Sequence, residues 1–268
     1  MRVYSQNGYW LGLICAGLIF VSSCANQTDD ASKKNLFLES AKRDFGNWPN
    51  SIIEDSKDTF LKRDNITTLL LAGGASITMH QSNADKTLDG NFERHRAFKG
   101  FTDETFNVLG CPGTHFAITG LWYALSAENQ DQFNTERAWT MMTALSVTGI
   151  TTVGLKAIRH NDAPNGKSWA WPSGHTASSF TVASVLDEFY GPKVGIAAYA
   201  LASLVAYRMM DVGDHWASDV VFGAALGWVV GHTVAGKHKQ FEVTGFKIYP
   251  YTTVGTSRIM GINLVKRF

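Results

Sequence analysis

Long stretches without Asp, Glu, Lys or Arg limit the fold of this chain more than any other feature. They cover residues 65–84, 138–155, 194–207 and 220–236. A membrane span needs about 20 predominantly apolar residues, whereas the first two stretches are rich in Thr, Ser or Gly and the third is short. We therefore predict an all-α protein whose helices form a bundle at a membrane surface, with membrane-spanning helices as the alternative.

The remaining pattern predicts where the helices and turns lie. Turn-forming residues over 161–172 and the pair Gly191-Pro192 separate helical stretches, because Gly, Pro and Asn interrupt regular structure. We expect residues 82–110 to form loops with short turns. The last part of the chain alternates apolar and polar residues, which predicts a short C-terminal β-hairpin. Predicted helices cover 51–61, 114–127, 136–160, 173–189, 192–209 and 215–236, and the predicted hairpin strands are 246–253 and 258–266.

The N-terminus has the layout of an export signal. An apolar run over residues 9–21 is followed by Ser22, Ser23 and Cys24, which is typical of a secretory signal peptide. This ending resembles a bacterial lipobox, which implies lipidation of Cys24; the alternative is an ordinary signal peptide with an incidental cysteine. By the same resemblance, Ala25 favours the outer membrane, with the protein facing the periplasm.

These features divide the chain into four segments. We expect a signal peptide over residues 1–23, a lipidated N-terminus and flexible tether over 24–45, a helical domain over 46–238 and the hairpin tail over 239–268. The net charge of +1 gives no basic surface of the kind that nucleic-acid binding requires. Of the three cysteines, only Cys111 would remain as a free thiol, so no intrachain disulfide is expected.

The tetrapeptide Pro172-Ser173-Gly174-His175 is the first motif that suggests chemistry. Proline is favoured in the first turn of a helix and serine can cap it. The free backbone N–H groups and the helix dipole at such an end attract anions, and Gly174 allows a ligand to approach the backbone closely. An imidazole at position 175 could protonate a leaving oxygen and later activate water.

A histidine and a carboxylate follow forty residues later. If a helix starts at His215, Asp219 lies one turn further along the same face and can orient the ring, which leaves the other nitrogen free as a nucleophile. Three basic residues, Lys156, Arg159 and Arg208, lie near helix ends, where they can bind phosphate or simply complement the helix dipole. Each feature alone is more often structural than catalytic.

Taken together, these motifs resemble the signature of the type-2 phosphatidic acid phosphatase superfamily, which includes bacterial acid phosphatases and vanadium haloperoxidases. The resemblance is carried by Lys156…Pro164, by Pro172 to His175, and by Arg208…His215-x-x-x-Asp219. It implies an all-α bundle of about six core helices and a reaction that needs no metal or other cofactor.

The resemblance also implies a role for each matching residue. His215 would attack phosphorus and form a phosphohistidine, Asp219 would orient His215, and His175 would act as general acid and then as general base. The phosphate would be held by Lys156, Arg208 and the backbone at Ser173 and Gly174.

Two departures from the family pattern affect phosphate binding. The family has an arginine immediately before the proline of its first motif, where this chain has Ala163; Arg159 or Lys167 could supply the charge instead. Six residues separate Arg208 from His215, where the family usually has five, and the insertion falls in a predicted loop, where it is tolerable.

The sequence therefore predicts a lipid-anchored phosphatase of the cell envelope. Its substrates would be phosphate monoesters of small molecules or of lipids such as phospholipids, with membrane contact through Cys24. Two alternatives remain: a vanadate-dependent haloperoxidase, and a catalytically weak phosphate-binding envelope lipoprotein, which the alanine at position 163 suggests.

Overall fold

The predicted all-α class is confirmed by a computed structural model, which describes residues 27–238, 241–243, 246–254 and 258–266. Helices account for most of the described residues, and the strands follow the last helix. The helices are α1 (Gln27–Phe60), α2 (Arg63–Gln81), α3 (Ala84–Arg94), α4 (Phe101–Gly110), α5 (Pro112–Glu128), α6 (Gln132–Arg159), α7 (Gly174–Tyr190), α8 (Pro192–Asp211) and α9 (Ala217–Lys237). The strands are β1 (Phe241–Val243), β2 (Phe246–Val254) and β3 (Arg258–Lys266).

The N-terminal part differs from the predicted flexible tether. Helix α1 already begins at Gln27, inside the segment 24–45 that we expected to be flexible. The acidic pair Asp29-Asp30 favours a helix N-terminus, and the Ala, Lys, Leu and Glu residues that follow have high helix propensity. The predicted signal peptide and the predicted lipidation site at Cys24 lie outside the described residues.

The chain divides into two compact units, Met1–Lys42 and Arg43–Phe268. Every residue of the candidate site belongs to the second unit. The main hydrophobic core of that unit lies between α6, α7 and α9, and aromatic side chains from other helices pack against its edge. Its buried members are Met141, Ala144, Leu145, Val147, Ala177, Val185, Phe222, Leu226, Val230, Val234 and Ala235.

Helices α7 and α9 pack unusually closely, and this contact positions the site. Gly223, Gly227 and Gly231 recur every four residues on α9, so they share one helix face. A Cβ atom at any of the three would lie less than 3.0 Å from a backbone atom of the segment that begins at Ser173. The two backbones therefore touch directly, which fixes the start of α7 against the start of α9.

The segment 82–110 contains two helices, α3 and α4, where the sequence predicted loops. The buried carboxylate of Asp85 on α3 accepts hydrogen bonds from the backbone N–H and the hydroxyl of Ser218, at 2.9 and 2.6 Å. The connection between α3 and α4 is held by Asp211, which accepts the backbone N–H of Ala97 and of Phe98 at 2.8–3.1 Å. These helices are held by distant polar partners, so local apolar periodicity did not reveal them.

The strands after α9 form an antiparallel sheet in the order β1-β2-β3. Phe246 is opposite Lys266 and Val254 is opposite Arg258 in the register of β2 with β3. The third strand, β1, is short and pairs Phe241 with Ile248. None of these residues takes part in the described contacts of the candidate site.

Candidate active site

The predicted catalytic residues meet at one end of the bundle. The C-terminal half of α6 lies beside the start of α7, where a Cβ atom at Gly174 would be 3.7 Å from Cγ2 of Thr152, and a short loop joins the end of α8 to the start of α9. A backbone hydrogen bond of 3.1 Å joins the N–H of Ser173 to the carbonyl of Asp219. A second, of 3.0 Å, joins the N–H of His215 to the carbonyl of Met209. The two motifs, forty residues apart, therefore form a single site.

The start of α7 is capped by Ser173 as the sequence predicted, while anion binding there stays a prediction. Ser173 is the N-cap of the helix. Its hydroxyl oxygen accepts a hydrogen bond from the backbone N–H of Thr176 at 3.4 Å and another from the hydroxyl group of Thr176 at 3.0 Å. Gly174 and His175 are the first two helical residues, so their N–H groups have no intrahelical partner. These groups and the positive end of the helix dipole can receive phosphate oxygens.

His215 and Asp219 are paired, but not on one turn of helix as predicted. Helix α9 begins at Ala217, and Asp219 is its third residue, accepting the backbone N–H of Trp216 at 3.0 Å. His215 lies just before the helix, with Nδ1 3.5 Å from Oδ2 of Asp219. The side chain of Asp219 is fully buried, and that of His215 is 11% exposed. Nδ1 of His215 and Oδ1 of Asp219 make no hydrogen bond to the described residues. A small movement of the His215 ring towards Asp219 would form a hydrogen bond between the two side chains. Catalytic hydrogen bonds often shorten in this way when substrate binds.

His175 lies in the same electrostatic environment. Burial, followed by the charges of His215, Arg208 and His115, lowers the pKa of His175 to about 4, while the charge of Asp214 acts in the opposite direction. The free site therefore holds His175 as a neutral imidazole at pH 7. A phosphate dianion beside the ring would raise this pKa again, because an opposite charge favours the protonated form.

The basic residues have more partners than the sequence suggested. The ammonium group of Lys156 donates hydrogen bonds to the carbonyls of Trp169 and Ala170, which anchors the segment between α6 and α7. Burial lowers the pKa of Lys156 to about 8, and the charge of Asp219 opposes this shift. The guanidinium of Arg159 lies 5.1 Å from the centre of the Trp171 ring, so its described contact is a cation–π interaction. Phosphate binding by Lys156 and Arg159 stays a prediction.

Arg208 is buried and already pairs with two carboxylates. Its Nη1 lies 2.6 Å from Oδ2 of Asp214, and its Nε and Nη2 each lie 2.7 Å from Oδ1 of Asp103. Ala163, at the position of the family arginine, is only 5% exposed. Of the two proposed substitutes for that arginine, Lys167 is connected to this network, because its Nζ lies 3.4 Å from Oδ1 of Asp214.

Sequence reasoning missed several residues of the site. Asp103 and His115 lie far from the motifs in sequence, and only the fold brings them to Arg208 and His175. Burial lowers the pKa of His115 to about 4, although a hydrogen bond to the backbone of Leu109 acts in the opposite direction. The Nδ1 atom of His115 is buried and has no hydrogen-bond partner among the described residues. Asp214 could have been noticed, since it is the acidic residue directly before the proposed nucleophile.

The described side chains include no group of three or more His, Cys, Asp or Glu residues that could hold a metal ion. The expectation that the chemistry needs no metal was made from the resemblance and stays a prediction.

Comparison with known proteins agrees with this geometry. Residues 151–241 match the family model of the PAP2 superfamily, which covers α7, α8 and α9. A lipid A 1-phosphatase of Porphyromonas gingivalis is 42% identical over 65 residues, which are 23% of this chain and 15% of that relative. The match therefore spans only a small part of the relative's length.

A solved structure shares the fold. The crystal structure of a transmembrane PAP2-type phosphatidylglycerolphosphate phosphatase from Bacillus subtilis superposes with a TM-score of 0.55 and 19% sequence identity. The overlap covers 64% of this chain and 92% of the other. At this identity the likeness concerns the arrangement of the helices.

Proposed function

We propose that this protein is a membrane-associated phosphatase that hydrolyses phosphate monoesters of lipids, because residues 151–241 match the family model of the PAP2 superfamily. The observation that carries the proposal is the backbone hydrogen bond between Ser173 and Asp219. It holds an anion-binding helix end, which bears His175, beside the pair formed by His215 and Asp219. Phosphoryl transfer depends mainly on such positioning and on charge stabilisation.

The first chemical step uses the ring of His215. Its Nδ1 faces Asp219 at 3.5 Å, so Nε2 is the nitrogen available for attack on phosphorus. The phosphate oxygens would lie against the N–H groups of Gly174 and His175, beside Arg208. As the N–P bond forms, the P–O bond to the alcohol breaks, and a protonated His175 donates its proton to the leaving oxygen. The product is the free alcohol and a phosphohistidine at position 215.

The second step returns the enzyme to its starting state. His175, neutral after the first step, accepts a proton from a water molecule as the water oxygen attacks phosphorus. The N–P bond to His215 breaks and inorganic phosphate leaves, after which His175 releases the proton to solvent and is neutral again. A bound phosphate dianion raises the pKa of His175, so the ring takes up a proton from solvent when substrate binds and can act as the acid. The same raised pKa makes the ring a stronger base while the phosphoryl group stays in the site.

A lipid substrate is supported by the surface of the bundle. Large apolar side chains are exposed on several helices, including Leu71 on α2 (70%), Ile158 on α6 (82%) and Ile196 on α8 (71%). Where such side chains form a contiguous patch, they mark contact with a membrane or another apolar partner, which is consistent with a lipid substrate. Two described helices, α6 and α9, are long and apolar enough to cross a membrane, although at least half of each apolar window is buried. The named activities of both relatives concern phosphorylated lipids.

Lipidation of Cys24 and a periplasm-facing, outer-membrane location remain part of the proposal. A Cys24→Ser variant tests them, because it removes the only thiol at the proposed cleavage point. We expect loss of fatty-acid labelling and accumulation of a longer precursor. Normal labelling of the variant would show that Cys24 is not the lipidation site.

The test of the function uses the full chain purified in detergent. Phosphate release is measured from a lipid phosphate monoester and from p-nitrophenyl phosphate, with and without EDTA. We expect activity that survives EDTA, falls by about three orders of magnitude in His215→Ala and His175→Ala, and is unchanged in His238→Ala. His238 is a suitable control because it is 46% exposed and its ionic partner is Asp55, which lies outside the site.

The other outcomes decide against the proposal. No phosphate release from any substrate would leave the phosphate-binding lipoprotein as the better reading. Bromide oxidation that appears only with added vanadate would select the haloperoxidase. Activity that persists in His215→Ala would reject His215 as the nucleophile.

A further inference from the structure

Asp214 holds an unusual position for an acidic residue in a phosphate site. It directly precedes His215, and its carboxylate contacts Arg208 Nη1 at 2.6 Å, Asn165 Nδ2 at 2.8 Å and Lys167 Nζ at 3.4 Å. Its side chain is 23% exposed, whereas that of Arg208 is 7% exposed. The carboxylate therefore lies between a buried guanidinium and the solvent.

Arg208 does not need Asp214 to balance its charge. The Nε and Nη2 edge of the guanidinium is already paired with Asp103 at 2.7 Å. A bidentate contact to phosphate needs two N–H groups on one edge of the guanidinium. Asp103 takes the edge formed by Nε and Nη2, so the edge that contains Nη1 is left for phosphate. Asp214 already accepts a hydrogen bond from Nη1. Phosphate and Asp214 therefore compete for the same donor.

The charges around Arg208 lead to the same conclusion. Arg208 and Lys167 contribute two positive charges, and Asp103 and Asp214 contribute two negative charges, so this part of the site has no net charge. Burial raises the pKa of Asp214, but the attraction of Arg208 and Lys167 outweighs burial and the pKa is lowered overall. Asp214 is thus ionised at neutral pH, and it repels an incoming phosphate dianion.

We propose that Asp214 tunes the affinity of the site for phosphate: it is an internal anion that occupies Arg208 in the free enzyme and is displaced by the phosphate of the substrate. On displacement, the carboxylate keeps Lys167 and Asn165 as partners. The inference rests on the proposed phosphatase function. Asp214 would weaken the binding of substrate and of inorganic phosphate alike, which favours product release.

The test compares the wild-type full chain with Asp214→Asn. Asparagine keeps the shape and a carbonyl acceptor for Arg208, and it removes the negative charge. We expect binding of inorganic phosphate, measured by calorimetry, to strengthen by about tenfold, since one close like-charge repulsion is removed. The KM for p-nitrophenyl phosphate should fall, and inhibition by inorganic phosphate should become stronger by a similar factor. Asp214→Ser serves as a second variant if Asp214→Asn does not fold.

Asp103→Asn is the matched control. It removes the other carboxylate partner of Arg208, on the edge away from Asp214. We expect it to weaken phosphate binding and raise KM, because the guanidinium loses the partner that orients it while Asp214 stays in place. Stronger phosphate binding in Asp214→Asn together with weaker binding in Asp103→Asn would show that Asp214 competes with phosphate, whereas Asp103 supports Arg208.

Two results would overturn the inference. Weaker phosphate binding or a higher KM in Asp214→Asn would show that Asp214 positions Arg208 rather than competing with the ligand. Equal binding in wild type and variant would show that phosphate does not reach this donor. Because calorimetry needs no turnover, failure of the proposed function, seen as absent hydrolysis in the wild type, stays distinguishable from failure of this inference.

Discussion

Replacement of Gly227 by alanine tests the close contact between α7 and α9. A Cβ atom at this position would lie 2.1 Å from the carbonyl oxygen of Ala177 and 2.9 Å from the backbone nitrogen of Thr181. Cβ atoms essentially never approach other atoms closer than 3.0 Å. Neither backbone atom can move away alone, so the two helices must separate by about 0.9 Å.

The free-energy balance of this change can be worked out. Alanine gains about 1 kcal/mol over glycine in helix propensity. Insertion of an extra carbon into a well-packed core costs about 1–3 kcal/mol, and a clash with backbone lies at the upper end of that range. We therefore expect Gly227→Ala to lower the free energy of unfolding by about 2 kcal/mol.

The effect on catalysis should be larger than the effect on stability. Ala177 lies two residues after His175 on α7, while His215 and Asp219 are fixed to the start of α9. Separation of the helices therefore pulls the acid away from the nucleophile. A misplacement of about 1 Å can cost about a hundredfold in rate, so we expect kcat/KM for phosphate release to fall by roughly that factor.

Gly236→Ala is the matched control on the same helix, because a Cβ there meets nothing within 4 Å. It should raise the free energy of unfolding by up to about 1 kcal/mol and leave kcat/KM unchanged. The assays are thermal unfolding and phosphate release in detergent. If Gly227→Ala matches Gly236→Ala in both assays, close helix packing does not position the site.

Three further predictions concern pH, the first motif and the support of α9. Folding lowers the pKa values of His175 and His115 from 6.5 to about 4. Between pH 6.5 and pH 4, the unfolded state therefore binds more protons than the folded state. The free energy of unfolding should therefore fall as pH drops through this window, by up to about 3 kcal/mol per histidine; a flat denaturation profile between pH 7 and pH 4 would contradict this. Ala163→Arg should lower Tm without raising kcat/KM, because the side chain of Ala163 is buried and a larger side chain there overpacks the protein. Higher activity at an unchanged Tm would show that the pocket can hold an arginine at this position. Asp85→Asn should lower the free energy of unfolding by about 1–3 kcal/mol, because the backbone N–H and the hydroxyl of Ser218 both donate to the Asp85 carboxylate and an amide is a poorer acceptor. An unchanged denaturant unfolding curve would show that Asp85 does not hold α9 in place.

The sequence was most informative where chemistry depends on residues close in the chain. Ser173 caps α7 as predicted, because the capping residue and its partner are neighbours. The helical fold was predicted from the long stretches without charged residues, from the turn formers that separate them, and from the family resemblance. Helix α9 begins two residues later than expected, since Asp219 accepts the backbone N–H of Trp216 and so caps the helix.

The contacts that shape the phosphate pocket could not be predicted in the same way. The pairing of Arg208 with Asp103 joins residues 105 positions apart, and no local pattern encodes it. Arg159 carries a charge at a suitable position in the sequence, yet its described contact is with Trp171. Helix periodicity places a side chain on a face, but the choice among nearby partners depends on tertiary packing.

The most direct test of the account is to trap the phosphorylated enzyme. Wild-type protein is mixed rapidly with a radiolabelled phosphate monoester, quenched within one turnover, digested, and mapped for acid-labile label. We expect label on the peptide that contains His215, and none in His215→Ala. Product formation without a labelled enzyme, or label on a different residue, would contradict the proposal that His215 is the nucleophile of this site.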